Sequence, residues 1–270
     1  MLASAAFAAA APPAGVTHYV RFAAAGRSSY GRLEGDQIQP LSAEPWANPK
    51  PAGKPIAASA AKLLHPCLPP KVLAVGRNYK SHLGKETPPS RPELFYKPIT
   101  CLIGPGESIV IPTGSKATNY EGELVIVIGK ACRHASPAEA KAAIFGYTCG
   151  NDVSERDWQG GPDKDMQWWR AKGSDTFGPL GPVIAAGIDP AAGLQLQTRL
   201  NGQVVQKQST SDLLFNCTDV VVFASRFVTL TPGDVIYTGT PGSTKPMKSG
   251  DVVEVEIDKI GVLRNPVKGA

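Results

Sequence analysis

Two glutamates stand two residues apart at the start of a β-branched run in NYEGELVIVIG, residues 119–129. Side chains alternate faces along a strand, so Glu121 and Glu123 project to one side, the side shared with Val125 and Val127. Two ionised carboxylates about 5 Å apart in a partly buried site repel by roughly 3 kcal/mol at an effective dielectric near 20. A shared proton offsets that, and so does a hard divalent cation, which prefers carboxylate oxygens and keeps positions free for water or substrate. On a solvated strand end the repulsion falls to about 1 kcal/mol and asks for no partner. Spacing alone leaves these readings open.

Other chemistries find little support. The sequence has no GxSxG, no GxGxxG after a strand, no phosphate-binding GxxxxGK[ST] and no HExxH. Its five cysteines, Cys67, Cys101, Cys132, Cys149 and Cys217, are odd in number, far apart and without a CxxC pair, which argues against a disulfide framework or a zinc site. The net charge of +5 is scattered, with no basic run interleaved with aromatics, so nucleic acid is not an expected partner. No stretch approaches the ~18 consecutive apolar residues of a membrane span. Residues 1–15, MLASAAFAAAAPPAG, form an Ala-rich leader without a charged start. They read either as a trimmed signal sequence, which would make the protein exported and periplasmic, or as a low-complexity tail on a cytoplasmic protein.

The elements that must position the acids can be sketched from periodicity. Val16, His18, Val20 and Phe22 alternate against polar neighbours, and RLEGDQIQPL turns at Gly35-Asp36, so residues 16–70 read as a small N-terminal β domain ending at the breaker cluster PCLPP. Residues 71–270 form the main domain. Within it, KVLAVG is a short buried strand. SPAEAKAAIFG is a helix with Ser136 as N-cap, Pro137 at N1, Glu139 completing a capping box and Gly146 just beyond its end. Asn201-Gly202 between alternating runs predicts a hairpin, TDVVVFASRF a helix capped by Thr218, and GDVIYTG and GDVVEVEI two strands after Gly-Asp turns. Strands outnumber helices and do not alternate with them, which predicts a β-rich α+β fold rather than a doubly wound parallel sheet.

NYEGELVIVIGK, GYTCGNDVSERDWQ, WWRAKGSDTFGPLGP and GDVIYTGTPG, in that order and at these separations, resemble the fumarylacetoacetate hydrolase family. VGRNYKSH and the N-terminal hairpin extend the likeness from about Thr17 to the C-terminus. The resemblance implies a mixed β-sandwich or roll, and a cation held by Glu121, Glu123 and Asp152, with Mg²⁺ or Mn²⁺ expected and Ca²⁺ as the alternative. Three carboxylates around a divalent ion would leave a net charge near minus one. Without the family pattern, Asp152 after Gly150-Asn151 reads as a turn residue. Arg156 and Gln159 match residues lining the substrate site, and Thr240 a threonine that holds a substrate carboxylate through its hydroxyl or backbone N–H. Lys172 matches a lysine that stabilises a developing enolate oxygen. A homodimer is implied by the same analogy.

His82 matches the family's general base, for which imidazole suits by its pKa near 6.5. Many hydrolytic members carry a glutamate three residues later; here that position is Lys85, with Glu86 next. A helical segment would bring Glu86, at i+4, to His82, whereas Gly84 and TPPSRP favour a loop. The implied function is a metal-dependent enzyme acting on a small 2-oxo acid through a metal-stabilised enolate. C–C bond hydrolysis of an acylpyruvate comes first by precedent. Isomerisation, tautomerisation or decarboxylation of a 2-oxo diacid follows because of Lys85, and a non-catalytic cation-binding protein is the rival class.

Overall fold

The β-branched run that follows the two glutamates lies at the centre of the largest sheet. The computed structural model describes residues 12–270, so most of the Ala-rich leader lies outside the described residues. The elements that bear on the site are β1 (Thr17–Ala24), β2 (Arg27–Glu34), β3 (Gln37–Pro40), β4 (Val72–Gly76), α1 (Lys80–Leu83), β5 (Glu93–Lys97), β6 (Gly122–Ile128), α2 (Pro137–Ala143), β7 (Ile144–Asn151), α3 (Arg156–Gly160), α4 (Trp169–Gly173), β8 (Gly178–Ala186), β9 (Gln195–Leu200), β10 (Gln203–Ser209), α5 (Cys217–Ser225), β11 (Val235–Tyr237), β12 (Val252–Ile257) and β13 (Gly261–Gly269). Among the described residues twelve strands make one sheet, whose path includes β3-β2-β1-β8-β7-β6-β11-β4-β5, while β10-β9-β12-β13 belong to a second sheet of five. Pairing is mostly antiparallel, with β11 and β4 parallel. The strand-rich α+β architecture expected from the sequence is the one observed.

β6 is buried along its whole length. Leu124, Ile126 and Ile128 face the main core with Leu196, Val255 and Ile257 of the second sheet and Val220 and Val221 of α5. Val125 and Val127 face the other way, onto Ala74, Leu180, Val235 and Tyr237. Glu123, within the strand, and Glu121, just before it, continue that second face, as the alternation requires. Gly122, between them, faces the second sheet. A Cβ there would lie 2.0 Å from Thr198 Oγ1, so β6 and β9 approach too closely for any side chain. Gly122→Ala should therefore destabilise the protein by about 1–3 kcal/mol through overpacking. Thr198→Ala, which removes a buried hydroxyl that has no partner, should recover part of that loss in chemical denaturation.

The N-terminal strands extend the main sheet, because β1 pairs with β8 from Thr17↔Ala186 to Tyr19↔Ile184. The Gly35-Asp36 turn joins β2 to β3, and Asn201 and Gly202, both at positive φ, join β9 to β10. The capping box of α2 is present, with Ser136 and Glu139 bonded reciprocally. Two local expectations are corrected. Gly146 does not terminate α2, because the chain passes directly from Ala143 into β7 and Gly146 sits inside that strand. The cap of α5 is Asn216, not Thr218. Asn216 exchanges bonds with Asp219 in a second capping box, which places the helix start one residue before Thr218.

Candidate active site

Backbone pairing alone brings the third acid to the first two. β6 and β7 are in register at Gly122↔Asn151 and Glu123↔Gly150. One step further the Asp152 N–H donates to the Glu121 carbonyl (2.9 Å), and the Asn151 side chain accepts from the Glu121 N–H (2.8 Å). Asp152 thus follows a strand rather than a turn. Carboxylate oxygens of Glu121, Glu123 and Asp152 all lie within 4.8 Å of one another, and the three residues are at most 3% exposed. A buried, all-oxygen anionic set of this size fits a hard divalent cation.

Cations surround the acids. Lys172 Nζ, at the end of α4, donates to Glu121 Oε2 (2.7 Å) and Asp152 Oδ2 (2.5 Å). Burial would lower the pKa of this lysine, but the charges of Asp152 and Glu121 outweigh it and raise the pKa above the ordinary value. The two acids thus favour the ammonium form of Lys172, which suits it to meet negative charge. Arg156 donates to the other Glu121 oxygen, to Gln159 Oε1 (2.6 Å) and to Thr244 Oγ1 (2.9 Å). Burial pushes Glu121 up, yet Lys172, Arg156 and His82 together hold it down at about 2. Glu123 moves the opposite way: burial, reinforced by the charges of Asp152 and Glu121, raises it well above the usual carboxylate range.

Lys97, buried at the end of β5, escaped the sequence reading. Its Nζ donates to Asp152 Oδ1 (2.6 Å) and to the Lys172 main-chain carbonyl. Lys97, Lys172 and Arg156 thus stand beside the three acids, all pairing with Glu121 or Asp152 and none with Glu123. Three carboxylates with a divalent ion sum to minus one as expected, and counting the three cations beside them brings the loaded cluster to two positive charges in excess.

The remaining candidates frame this cluster. Thr240 is buried with its hydroxyl already committed, donating to the Gly122 carbonyl (2.9 Å) and accepting from Gln206 Nε2 (2.8 Å). Its main-chain N–H, which makes no bond among the described residues, is the group left for a ligand. Gly239, at φ +106°, aims its N–H at Glu123 Oε2 (2.7 Å), a backbone conformation that favours glycine. Half-buried His82 lies in α1 with Nδ1 2.6 Å from the Gly242 carbonyl. A carbonyl only accepts, so the proton of a neutral His82 sits on Nδ1 and Nε2 is the basic atom. Glu86 does not reach it: α1 ends at Leu83, and Glu86 pairs with Arg77 instead. Lys85 is exposed.

A β-rich α+β fold gathers three acids that could hold a cation, with three basic side chains against them, at the end of a central strand. The chain belongs to the fumarylacetoacetate hydrolase family. The family's C-terminal domain model matches residues 71–268, and a second model, Rv2993c-like N-terminal, matches residues 17–66. The structure is similar to 5-carboxymethyl-2-hydroxymuconate delta-isomerase from Mycobacterium smegmatis, with TM-score 0.88 and 42% identity over 94% of this chain and all of that one. The mitochondrial oxaloacetate tautomerase Fahd2a of Rattus norvegicus is 39% identical over 210 residues, 74% of this chain and 66% of the rat protein. Maleylpyruvate hydrolase from Sphingobium sp. SYK-6, solved with manganese(II) and pyruvate, aligns at TM-score 0.75 and 27% identity over 94% of this chain and 99% of that one. Members of the family are enzymes, and among them are isomerases, hydrolases and tautomerases.

Proposed function

We propose that this protein is a metal-dependent enzyme of small 2-oxo acids that works through an enolate. Its main reaction in this reading is keto–enol or double-bond isomerisation of a 2-oxo diacid, with C–C hydrolysis of an acylpyruvate as a slower second. The observation that carries the choice is that, among the described residues, no carboxylate is hydrogen-bonded to His82. Its Nδ1 is spent on a backbone carbonyl, Glu86 is paired with Arg77, and Lys85 stands where hydrolytic relatives place a glutamate. The names of the rat and mycobacterial relatives, a tautomerase and an isomerase, support the same preference.

Glu121, Glu123 and Asp152 would hold the cation, Mg²⁺ or Mn²⁺, which when bound supplies a Lewis acid for the 2-keto and carboxylate oxygens. The chain's own groups do the rest. Arg156 and the Thr240 N–H would bind and orient the substrate carboxylate, with Gln159 accepting a bond from the Arg156 fork. The Lys172 ammonium meets the charge that develops on the enolate oxygen, an interaction stronger in the transition state than in the bound ketone. His82 Nε2 accepts the proton lost from C3 or from water. In oxaloacetate the C3 proton lies between the ketone and the second carboxylate, and solvent can take it once the oxygen charge is stabilised. Hydrolysis has no such alternative, because water itself must be activated.

His82→Ala should therefore lower C–C hydrolysis of an acylpyruvate by roughly 100-fold or more, the usual range for a lost general base. It should slow oxaloacetate enol–keto exchange by less than about tenfold. Lys85→Glu should raise hydrolysis. Both reactions can be followed on one preparation by enol absorbance and product analysis. Equal losses in His82→Ala, with no gain from Lys85→Glu, would contradict the preference for isomerisation.

A further inference from the structure

Lys97 presents an electrostatic puzzle. Its side chain is fully buried, where an ammonium is costly unless paired. Yet its partner Asp152 is already paired with Lys172, and Glu121 has both Lys172 and Arg156. A third cation opposes the loading of a divalent ion. A neutral donor at this position would satisfy the Lys172 carbonyl and the Asp152 oxygen without that opposition.

β5 shows how the residue is used. Phe95, on the same face of the strand as Lys97, lies with its ring 5.2 Å from Lys172 Nζ. It also meets the ring of Trp168, the residue before α4, edge-on at 5.3 Å. Lys97 holds the other end of α4 through the Lys172 carbonyl. The short helix is thus clamped at both ends by one strand, and Lys97 is fixed between helix and acids. We propose that Lys97 is a positioning residue whose buried charge makes the cation-loaded site complementary to a doubly negative ligand, the carboxylate plus enolate oxygen of a 2-oxo acid. The inference rests on the enolate reading of the site. In this account Lys97 trades affinity for the cation against affinity for the dianion.

The test replaces the charge and measures binding rather than turnover. Mn²⁺ affinity of the metal-free protein and oxalate affinity of the Mn²⁺-loaded protein are measured by calorimetry for wild type, Lys97→Met and Lys97→Gln. Oxalate serves as a stable dianion with the oxygen arrangement of the enolate. Both neutral variants should bind Mn²⁺ at least tenfold more tightly and oxalate at least tenfold more weakly. The Gln variant keeps a hydrogen-bond donor and carries the test if the Met variant does not fold. Mn²⁺ binding that is unchanged or weaker, or oxalate binding that is unchanged, would overturn the proposal and leave Lys97 a structural clamp. Failure of loaded wild type to bind oxalate would instead overturn the enolate reading, and this inference with it.

Discussion

Glu123→Gln should leave a folded protein that binds Mg²⁺ and Mn²⁺ at least ~100-fold more weakly and has no measurable turnover of any 2-oxo acid, because one anionic ligand of three is lost. The amide keeps the shape of the side chain, and its carbonyl oxygen can still accept from the Gly239 N–H. Burial, with Asp152 and Glu121, pushes Glu123 toward its neutral form when no cation is bound, and glutamine mimics that form. The metal-free variant should accordingly melt no lower than metal-free wild type. Calorimetric titration and a thermal melt separate the two statements. Undiminished affinity in Glu123→Gln would remove the triad as the cation site.

Lys172→Met should lower kcat at least ~100-fold, about 2.7 kcal/mol of transition-state stabilisation, with every substrate the enzyme accepts. The loss should be common to isomerisation and hydrolysis, since both pass through the same charge on oxygen. Mn²⁺ binding should not weaken, because the variant frees the Glu121 and Asp152 oxygens that Lys172 now holds. A loss below tenfold in steady-state kinetics would show that this ammonium is not a transition-state group. Parallel loss of Mn²⁺ binding would show that it serves only to build the acid cluster.

Local sequence rules reached the parts of this structure that local physics determines. The two-residue period placed Glu121 and Glu123 on one face, Ser136-x-x-Glu139 marked a helix start, and Asn201-Gly202 marked a hairpin. They failed where two local signals competed. Gly146 looked like a helix stop because a helix running straight into a strand leaves no loop to read, and Thr218 obscured the Asn216-x-x-Asp219 box. Asp152 was legible only through the family pattern, since thirty residues separate it from Glu121 and only strand register joins them. Lys97 was not legible at all. A lone lysine closing a short strand reads as a solvated charge, and its burial follows from long-range packing of β5 against α4. The main-chain contribution of Gly239 had a weak signal in the glycine of TGTPG, but nothing in the residue types said which carboxylate it would meet.

Ultraviolet absorbance of the oxaloacetate enol shows whether this cluster uses a divalent cation to form the enolate of a 2-oxo acid. The exchange is followed with wild-type protein, then with EDTA, then after Mg²⁺ or Mn²⁺ is restored. Exchange should run well above the buffer rate, be lost on chelation and recover with the cation. Exchange that persists unchanged in EDTA, or that never exceeds the buffer rate with either cation, would contradict this use of the cation.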